Sequence, residues 1–316
     1  NIMKDKNIQE LINLYRTGKL VVVEKKVKKL IKKNPKNFIL YNIFGAILID
    51  QKKLDQAVIN CKKSIQINPN YAEGHNNLGS ALYKLENFKE SIDSYQRAVK
   101  IKPDFAEAYN NLGVSLNEIG KLEESIISYQ RAIQIKPDYA EAYNNLGNVL
   151  QSKNKVGEAI INYEKAIKIN PNFAHAHYNL GKVFYVLNQP QKAISCFEKA
   201  IRIQPNNVLA YNNLGVVLKE LGEYQKAIIY YEKAIQIDPN YVDAYNNLGT
   251  ILGELNRVDE ARKNFEKSLN LNRNKKKTYE DYGNILLKLN QHYKALEYIK
   301  KGTGFIKFTQ KDFEII

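Results

Sequence analysis

The stretch YNNLG at residues 109–113 occurs again at 143–147, 211–215 and 245–249. Two variants, HNNLG at 75–79 and HYNLG at 177–181, fill the remaining places, so that one such string starts every 34 residues. A fixed period of this length predicts a tandem array in which each copy is one supersecondary unit.

Glycine and proline follow the same period. Glycines lie at 45, 79, 113, 147, 181, 215, 249 and 283, and prolines at 35, 69, 103, 137, 171, 205 and 239. Placing each glycine at position 8 defines eight repeats, R1 to R8, which start at residues 38, 72, 106, 140, 174, 208, 242 and 276. A degraded unit at 4–37, here R0, precedes them.

Within each repeat the pattern predicts two helices. Positions 4, 7, 8 and 11 have the spacing of one helix face, and positions 20, 24 and 27 repeat that spacing further along. Gly at position 8 and Ala or Ser at position 20 remove side-chain bulk where the paired helices approach. Residues near position 15, such as Gly120 and Asn154, predict the turn between the helices. Asp104 with Glu107, and Asp138 with Glu141, have capping-box spacing.

This arrangement resembles the tetratricopeptide repeat family. The resemblance implies an all-α fold, a right-handed superhelical α-solenoid whose first helices line a concave groove. It predicts a degenerate N-terminal capping repeat at 1–37, eight tandem units over 38–301 and an apolar C-terminal tail at 302–316. We expect Gly302 and Gly304 to stop the last helix. The tail then either folds over R8 or begins a further domain.

Composition narrows the classes of partner. The net charge of +15 is concentrated at the two ends, since residues 1–37 carry 11 basic and 3 acidic side chains. No apolar run is long enough for a membrane span. Two cysteines are too few for a disulfide framework, which favours a reducing compartment and a cytoplasmic location.

The second asparagine of YNNLG is position 6, which helical geometry places opposite the core face and therefore in the groove. Six successive repeats carry it, as Asn77, Asn111, Asn145, Asn179, Asn213 and Asn247. A primary amide offers donor and acceptor groups that match a peptide backbone. The row resembles the asparagine ladder in the tetratricopeptide arm of the O-linked GlcNAc transferases. The alternative is that these amides serve only hydrogen bonding between helices or solubility. The first asparagine, at position 5, lies at the flank with no firm role.

The other groove positions are modestly acidic. Positions 2, 9 and 13 include Glu107, Glu141, Asp243, Asn148, Lys182, Glu118 and Glu220. Phosphate contacts need Lys and Arg, so we expect no nucleic acid in the groove. A neutral or basic extended peptide suits this lining. The predicted function is therefore a protein–protein interaction scaffold, and the alternative is a substrate-recruiting arm of a larger enzyme.

We find no catalytic constellation in the sequence and expect no enzyme activity, metal or cofactor. His75 and His177 replace the Tyr of position 4 and are interpreted as core rings. The basic helix VEKKVKKLIKKNPK (23–36) is interpreted as a solvated capping face, with an acidic protein, a membrane or nucleic acid as alternative partners. Self-association through the terminal repeats remains open.

Overall fold

A computed structural model describes residues 6–303 and the strand segments 306–308 and 313–315. The chain divides into two compact bodies, the N-terminal body at residues 1–170 and the C-terminal body at 171–316. The described part of the N-terminal body consists of five helix pairs: α1 (Lys6–Arg16) and α2 (Leu20–Lys33), α3 (Phe38–Asp50) and α4 (Leu54–Ile67), α5 (Ala72–Lys84) and α6 (Phe88–Ile101), α7 (Ala106–Glu118) and α8 (Leu122–Ile135), α9 (Ala140–Ser152) and α10 (Val156–Ile169).

The described part of the C-terminal body has four helix pairs: α11 (Ala174–Val186) and α12 (Pro190–Ile203), α13 (Val208–Glu220) and α14 (Tyr224–Ile237), α15 (Val242–Glu254) and α16 (Val258–Leu271), α17 (Lys276–Lys288) and α18 (His292–Thr303). Two short antiparallel strands follow, β1 (Ile306–Phe308) and β2 (Phe313–Ile315), with Ile306 opposite Ile315. The helical solenoid predicted from the 34-residue period is confirmed, and the strand pair is a small addition to it. The rest of the predicted tail lies outside the described residues.

The glycine of position 8 allows the two helices of a repeat to touch. A Cβ atom at Gly147 would lie 2.6 Å from Cε1 of Tyr163, the ring at position 24 of the same repeat. Gly113 and Gly215 face Tyr129 and Tyr231 in the same way. Because a helical glycine is less favourable than alanine by about 1 kcal/mol, this contact explains why the sequence keeps glycine here.

The turn between paired helices requires a left-handed residue at position 15. Gly120 and Gly222 both have φ +76°, and Asn154 has φ +60°. In R1 and R2 the same place is occupied by Lys52 and Glu86, with φ of 59° and 60°. Side chains with a Cβ are disfavoured in this conformation. These two turns are therefore held by the surrounding packing and not by local preference.

Helix starts differ from the predicted capping boxes. Phe105 and Tyr139 are the N-cap residues of α7 and α9, and neither makes a side-chain capping bond. The capping-box prediction for Asp104 and Asp138 is therefore wrong, because each lies one residue too early. Side-chain caps occur instead at Asn37, which accepts from the amide of Ile39, and at Asn207, which accepts from Ala210.

In each body the core lies between the helices. In the N-terminal body, Leu11, Val23 and Val27 of R0 are buried and continue the core of R1. In the C-terminal body, the core extends from Ala193 to Ala295. Gly302 does not stop α18, because the helix continues to Thr303. Glycine at this position instead allows close packing, since a Cβ there would lie 2.7 Å from Cγ of Glu280. None of the described helices is long and apolar enough to cross a bilayer.

Candidate functional site

The position-6 amides of the N-terminal body are half-buried and bonded from one repeat to the preceding one. Nδ2 of Asn111 lies 3.3 Å from Oδ1 of Asn76, and Nδ2 of Asn145 lies 3.1 Å from Oδ1 of Asn110. Asn77 donates in the same way to Asn42, at 2.9 Å. The acceptor in each case is the position-5 asparagine of the preceding repeat. We call this set of paired amides the amide row.

The position-5 asparagines are the part of the site that the sequence interpretation missed. They are buried, as Asn76 at 3% exposure and Asn144 at 5% exemplify, and do not lie at an unused flank. Within a pair, Nδ2 of Asn110 also lies 3.4 Å from Oδ1 of Asn111. Asn110 therefore both accepts from Asn145 of the next repeat and donates to Asn111. The signal was present in the sequence, because a flank residue has no reason to remain Asn in every YNNLG copy.

In the C-terminal body the amide row has two different partners. Asn247 donates to Oδ1 of Asn212 at 2.9 Å, as in the N-terminal body. Asn213 instead donates to the hydroxyl of Tyr178 at 3.1 Å, because R5 carries Tyr at position 5. Asn246 donates to Oδ2 of Asp281 at 2.7 Å, because R8 carries Asp at position 6. Since a carboxylate cannot donate, Oδ1 of Asn246 is buried without a partner.

A second row of bonds joins position 12 of one repeat to position 13 of the next. The hydroxyl of Tyr185 donates to Oε1 of Glu220 at 2.6 Å, and that of Tyr83 donates to Glu118 at 3.3 Å. Tyr15 donates to Asp50 at 2.6 Å in R0 and R1. The hydrogen bond with Glu220, followed by burial, raises the pKa of Tyr185 to about 12. Two of the acids predicted to line the groove, Glu118 and Glu220, therefore already bind a neighbouring repeat.

The remaining predicted site residues are distributed as follows. Glu107 is exposed and accepts from Nδ2 of Asn76 at 3.3 Å, whereas Glu141 is exposed in the first turn of α9. Asn148 accepts from the Tyr163 hydroxyl at 2.8 Å. Three further residues belong to the C-terminal body. Asp243 forms an ion pair with Lys275, Lys182 lies 5.6 Å from the centre of the Tyr178 ring, and Asn179 is half-buried.

The two position-4 histidines are integrated into the helix packing. Nε2 of His75 and of His177 each lies 3.0 Å from the carbonyl oxygen of the proline six residues earlier, Pro69 and Pro171. Burial lowers the pKa of His177, which opposes protonation of the ring. Within the described part of the chain, no cluster of His, Cys, Asp and Glu could hold a metal ion.

Family profiles identify the repeats directly. A profile described as TPR repeat matches residues 45–86, 79–119, 115–154 and 150–188, and two described as tetratricopeptide repeat match 174–207, 208–241 and 230–263. Together these matches span more than half of the chain. The chain is a tetratricopeptide repeat protein. No curated protein matches it.

Several solved structures are similar to this one. YrrB, described as a TPR protein with an unusual peptide-binding site, is 24% identical with a TM-score of 0.46 over 58% of this chain and 95% of its own. MamA is 29% identical with a TM-score of 0.48 over 54% and 93%. The Cut9–Hcn1 hetero-tetramer of the APC/C contains a chain that is 17% identical with a TM-score of 0.66 over 84% and 52%. This last likeness supports the fold alone.

Proposed function

We propose that this tetratricopeptide repeat protein is an interaction scaffold whose position-6 amides hold the main chain of an extended polypeptide. The observation that carries the proposal is the repeated bond from one asparagine to the next, which fixes the plane of each amide. Fixing a binding group before the ligand arrives lowers the entropy lost on binding.

The amide row retains hydrogen-bonding capacity for a ligand. A primary amide has two N–H groups and an oxygen with two lone pairs. Asn145 uses one N–H on Asn110, and its oxygen lies 3.5 Å from Nδ2 of Asn144, a long contact. One N–H and one lone pair therefore remain on a half-buried side chain. These are the complements of the carbonyl and N–H of a peptide bond.

The spacing of the row suits an extended segment. First helices of neighbouring repeats pack at about 8–10 Å. An extended chain advances about 3.3 Å per residue. One repeat therefore corresponds to about three ligand residues. Exposed carboxylates such as Glu107 and Glu141 beside the row favour Lys or Arg in the ligand, in keeping with a neutral or basic peptide.

The test is selection from a random dodecapeptide library, followed by binding of the selected peptide to variants of the full chain. Combining N111A, N145A, N213A and N247A is expected to weaken binding by at least about tenfold, because each removes a contact of about 1 kcal/mol. The matched control replaces three asparagines on the second helices, Asn60, Asn162 and Asn264, which donate to the carbonyl four residues earlier. Equal binding by both variants, with unchanged helical circular dichroism, would refute the proposal.

A second candidate function is the recruiting arm of a larger enzyme. The observation that favours it is the antiparallel strand pair after α18, since non-repeat structure there fits a junction with a different domain. The full reading frame of the gene distinguishes this candidate. A catalytic domain encoded on either side of the repeats would support it, and a reading frame that encodes none would exclude it.

A further inference from the structure

The outer surface of the first two repeats combines lysines with exposed aliphatic side chains. It is formed by the second helices, α2 of R0 and α4 of R1. The aliphatic residues are Val21, Val22 and Ile59, which are 66%, 52% and 66% exposed. The lysines, all exposed, are Lys25, Lys29, Lys32, Lys33, Lys62 and Lys63. We call these nine residues the basic face.

The two helices of the basic face are joined at their N-terminal ends. Glu24 of α2 accepts from Nε2 of Gln51 at 2.8 Å and lies 3.6 Å from Nζ of Lys53, the residue before α4. Nζ of Lys28 also donates to Oε1 of Glu24, at 2.6 Å. These bonds lower the pKa of Glu24 to about 2, the Lys28 bond most of all. The two helices therefore stay joined and Glu24 stays ionised.

The charge of the basic face is not neutralised by the chain. Glu10 forms an ion pair with Lys26, and Glu24 forms one with Lys28. Within residues 6–303, no carboxylate pairs with a lysine of the basic face, and Lys63 donates to the neutral side chain of Gln66. Asp55, in the first turn of α4, is an exposed acidic side chain next to the basic face. A surface of this kind attracts an anionic partner over several ångströms.

The residue types distinguish between anionic partners. The basic face has no arginine, the side chain that recognises carboxylates and phosphates by paired hydrogen bonds. Single-stranded nucleic acids need exposed aromatic rings, and Tyr41, which lines the same shallow depression as Ile59, is half-buried. Protein interfaces are enriched in Tyr, Trp and Arg and depleted in Lys.

Lysines next to exposed aliphatic side chains are, in contrast, the residue types that suit an anionic lipid surface. Lysine acts as a point charge whose attraction to an anionic lipid surface adds with each residue. Its aliphatic stem covers apolar surface while the ammonium group stays at the headgroups. Valine and isoleucine side chains insert below the headgroups. We propose that the basic face binds the surface of an anionic phospholipid bilayer, with α2 and α4 lying against it.

This inference does not depend on the peptide-binding proposal. The position-6 amides of the N-terminal body are on first helices, whereas the basic face is on second helices. Loss of one binding activity can therefore be measured while the other is retained.

The experiment is sedimentation of the full chain with vesicles of phosphatidylcholine alone or with phosphatidylserine. We expect binding only when phosphatidylserine is present. Combining K25E, K29E, K32E and K33E is expected to lower the vesicle affinity by more than about tenfold. The matched control combines K165E, K168E, K233E and K267E, four exposed lysines on other second helices, and should bind as the unaltered chain does.

A second variant separates lipid from other polyanions. Combining V21S, V22S and I59S should weaken vesicle binding several-fold while leaving the weak attraction to polyglutamate unchanged. An equal loss of vesicle affinity in the two quadruple lysine variants would contradict the proposal. Such a result would show that binding depends on the net charge of the chain and not on the basic face. Tighter binding of polyglutamate or duplex RNA than of vesicles would also overturn it. Thermal unfolding and circular dichroism of every variant show whether the fold is intact.

Discussion

The amide rows of the two bodies differ in their partners. In the N-terminal body, Asn77, Asn111 and Asn145 all donate to asparagines. In the C-terminal body, Tyr178 replaces one acceptor, and Asp281 replaces a donor and leaves the buried oxygen of Asn246 without a partner. The comparison shows that the two asparagines of YNNLG form one structural unit across a repeat boundary. Each buried position-5 amide needs a donor from the next repeat.

Loss of a buried amide should be more harmful where both of its partners are present. Asn110→Ala removes the acceptor of Asn145 and the donor to Asn111, so we expect a loss of about 2 kcal/mol in the free energy of unfolding. Asn246→Ala should destabilise by less than about 1 kcal/mol, since it also removes a buried oxygen that has no partner.

Hydrogen exchange of the backbone amides in α7 and α15 measures both effects locally, which avoids assuming a two-state transition in a repeat array. A larger loss of protection from Asn246→Ala than from Asn110→Ala would contradict the explanation.

Glycine contacts also differ from one repeat to another. A Cβ at Gly147 would lie 2.6 Å from Tyr163, whereas a Cβ at Gly249 would lie 3.1 Å from Phe265. Overpacking outweighs the helix propensity of alanine in the first case, and we expect Gly147→Ala to destabilise by about 1–2 kcal/mol and Gly249→Ala by less.

The control for these two variants is Gly157→Ala on α10, where a Cβ would meet nothing within 4 Å. It should be neutral or slightly stabilising. Thermal unfolding of the three variants provides the ranking, and the reverse order for Gly147 and Gly249 would show that the ring yields easily.

The C-terminal row can be repaired with one substitution. Asp281→Asn supplies an N–H for Oδ1 of Asn246, and we expect a gain of about 1 kcal/mol. The gain is reduced by loss of the i,i+4 ion pair with Lys277, at 2.9 Å, in which the Asp281 side chain is only 13% exposed. Asp281→Ala is the comparison, because it removes the charge without adding a donor. Equal stability of the two variants, measured by urea unfolding, would argue against the missing bond.

The turns give the smallest expected difference. The N-terminal body holds Lys52 and Glu86 at left-handed positions, whereas the C-terminal body uses Asn188, Gly222, Asn256 and Asn290. Glu86→Gly should stabilise by about 0.5–1 kcal/mol by removing this strain. Asn256→Gly should change stability by a few tenths of a kcal/mol, because Asn tolerates the conformation. If Glu86→Gly and Asn256→Gly shift the midpoint temperature of thermal unfolding by similar amounts, strain at Glu86 is ruled out.

The sequence was sufficient for the helix pairs because period and packing agree there. Gly147 and Tyr163 fall at fixed positions of one repeat, and the contact between them follows from helical geometry. Contacts across a repeat boundary were harder to predict, since they depend on how neighbouring helices are rotated. Position 5 was therefore placed at the flank, whereas Asn110 is buried and bonded to the next repeat. Asp104 shows a third case, in which the capping pattern was present but the helix began one residue later.

The peptide role of the amide row stays a prediction, because the hydrogen bonds between its amides also serve repeat packing. Asn145 illustrates the overlap. Its bond to Asn110 stabilises the repeat boundary, and its remaining N–H is the group that we propose for a ligand.

An N-methyl scan of a selected peptide tests the central claim most directly. Each ligand N–H is replaced in turn by N-methyl, each side chain is replaced separately by alanine, and affinities are measured by calorimetry. If the amide row binds the main chain, N-methylation should weaken binding at about every third residue, by about three- to tenfold, while most alanine substitutions have little effect. Binding that tolerates N-methylation throughout but depends on one or two side chains would contradict the claim.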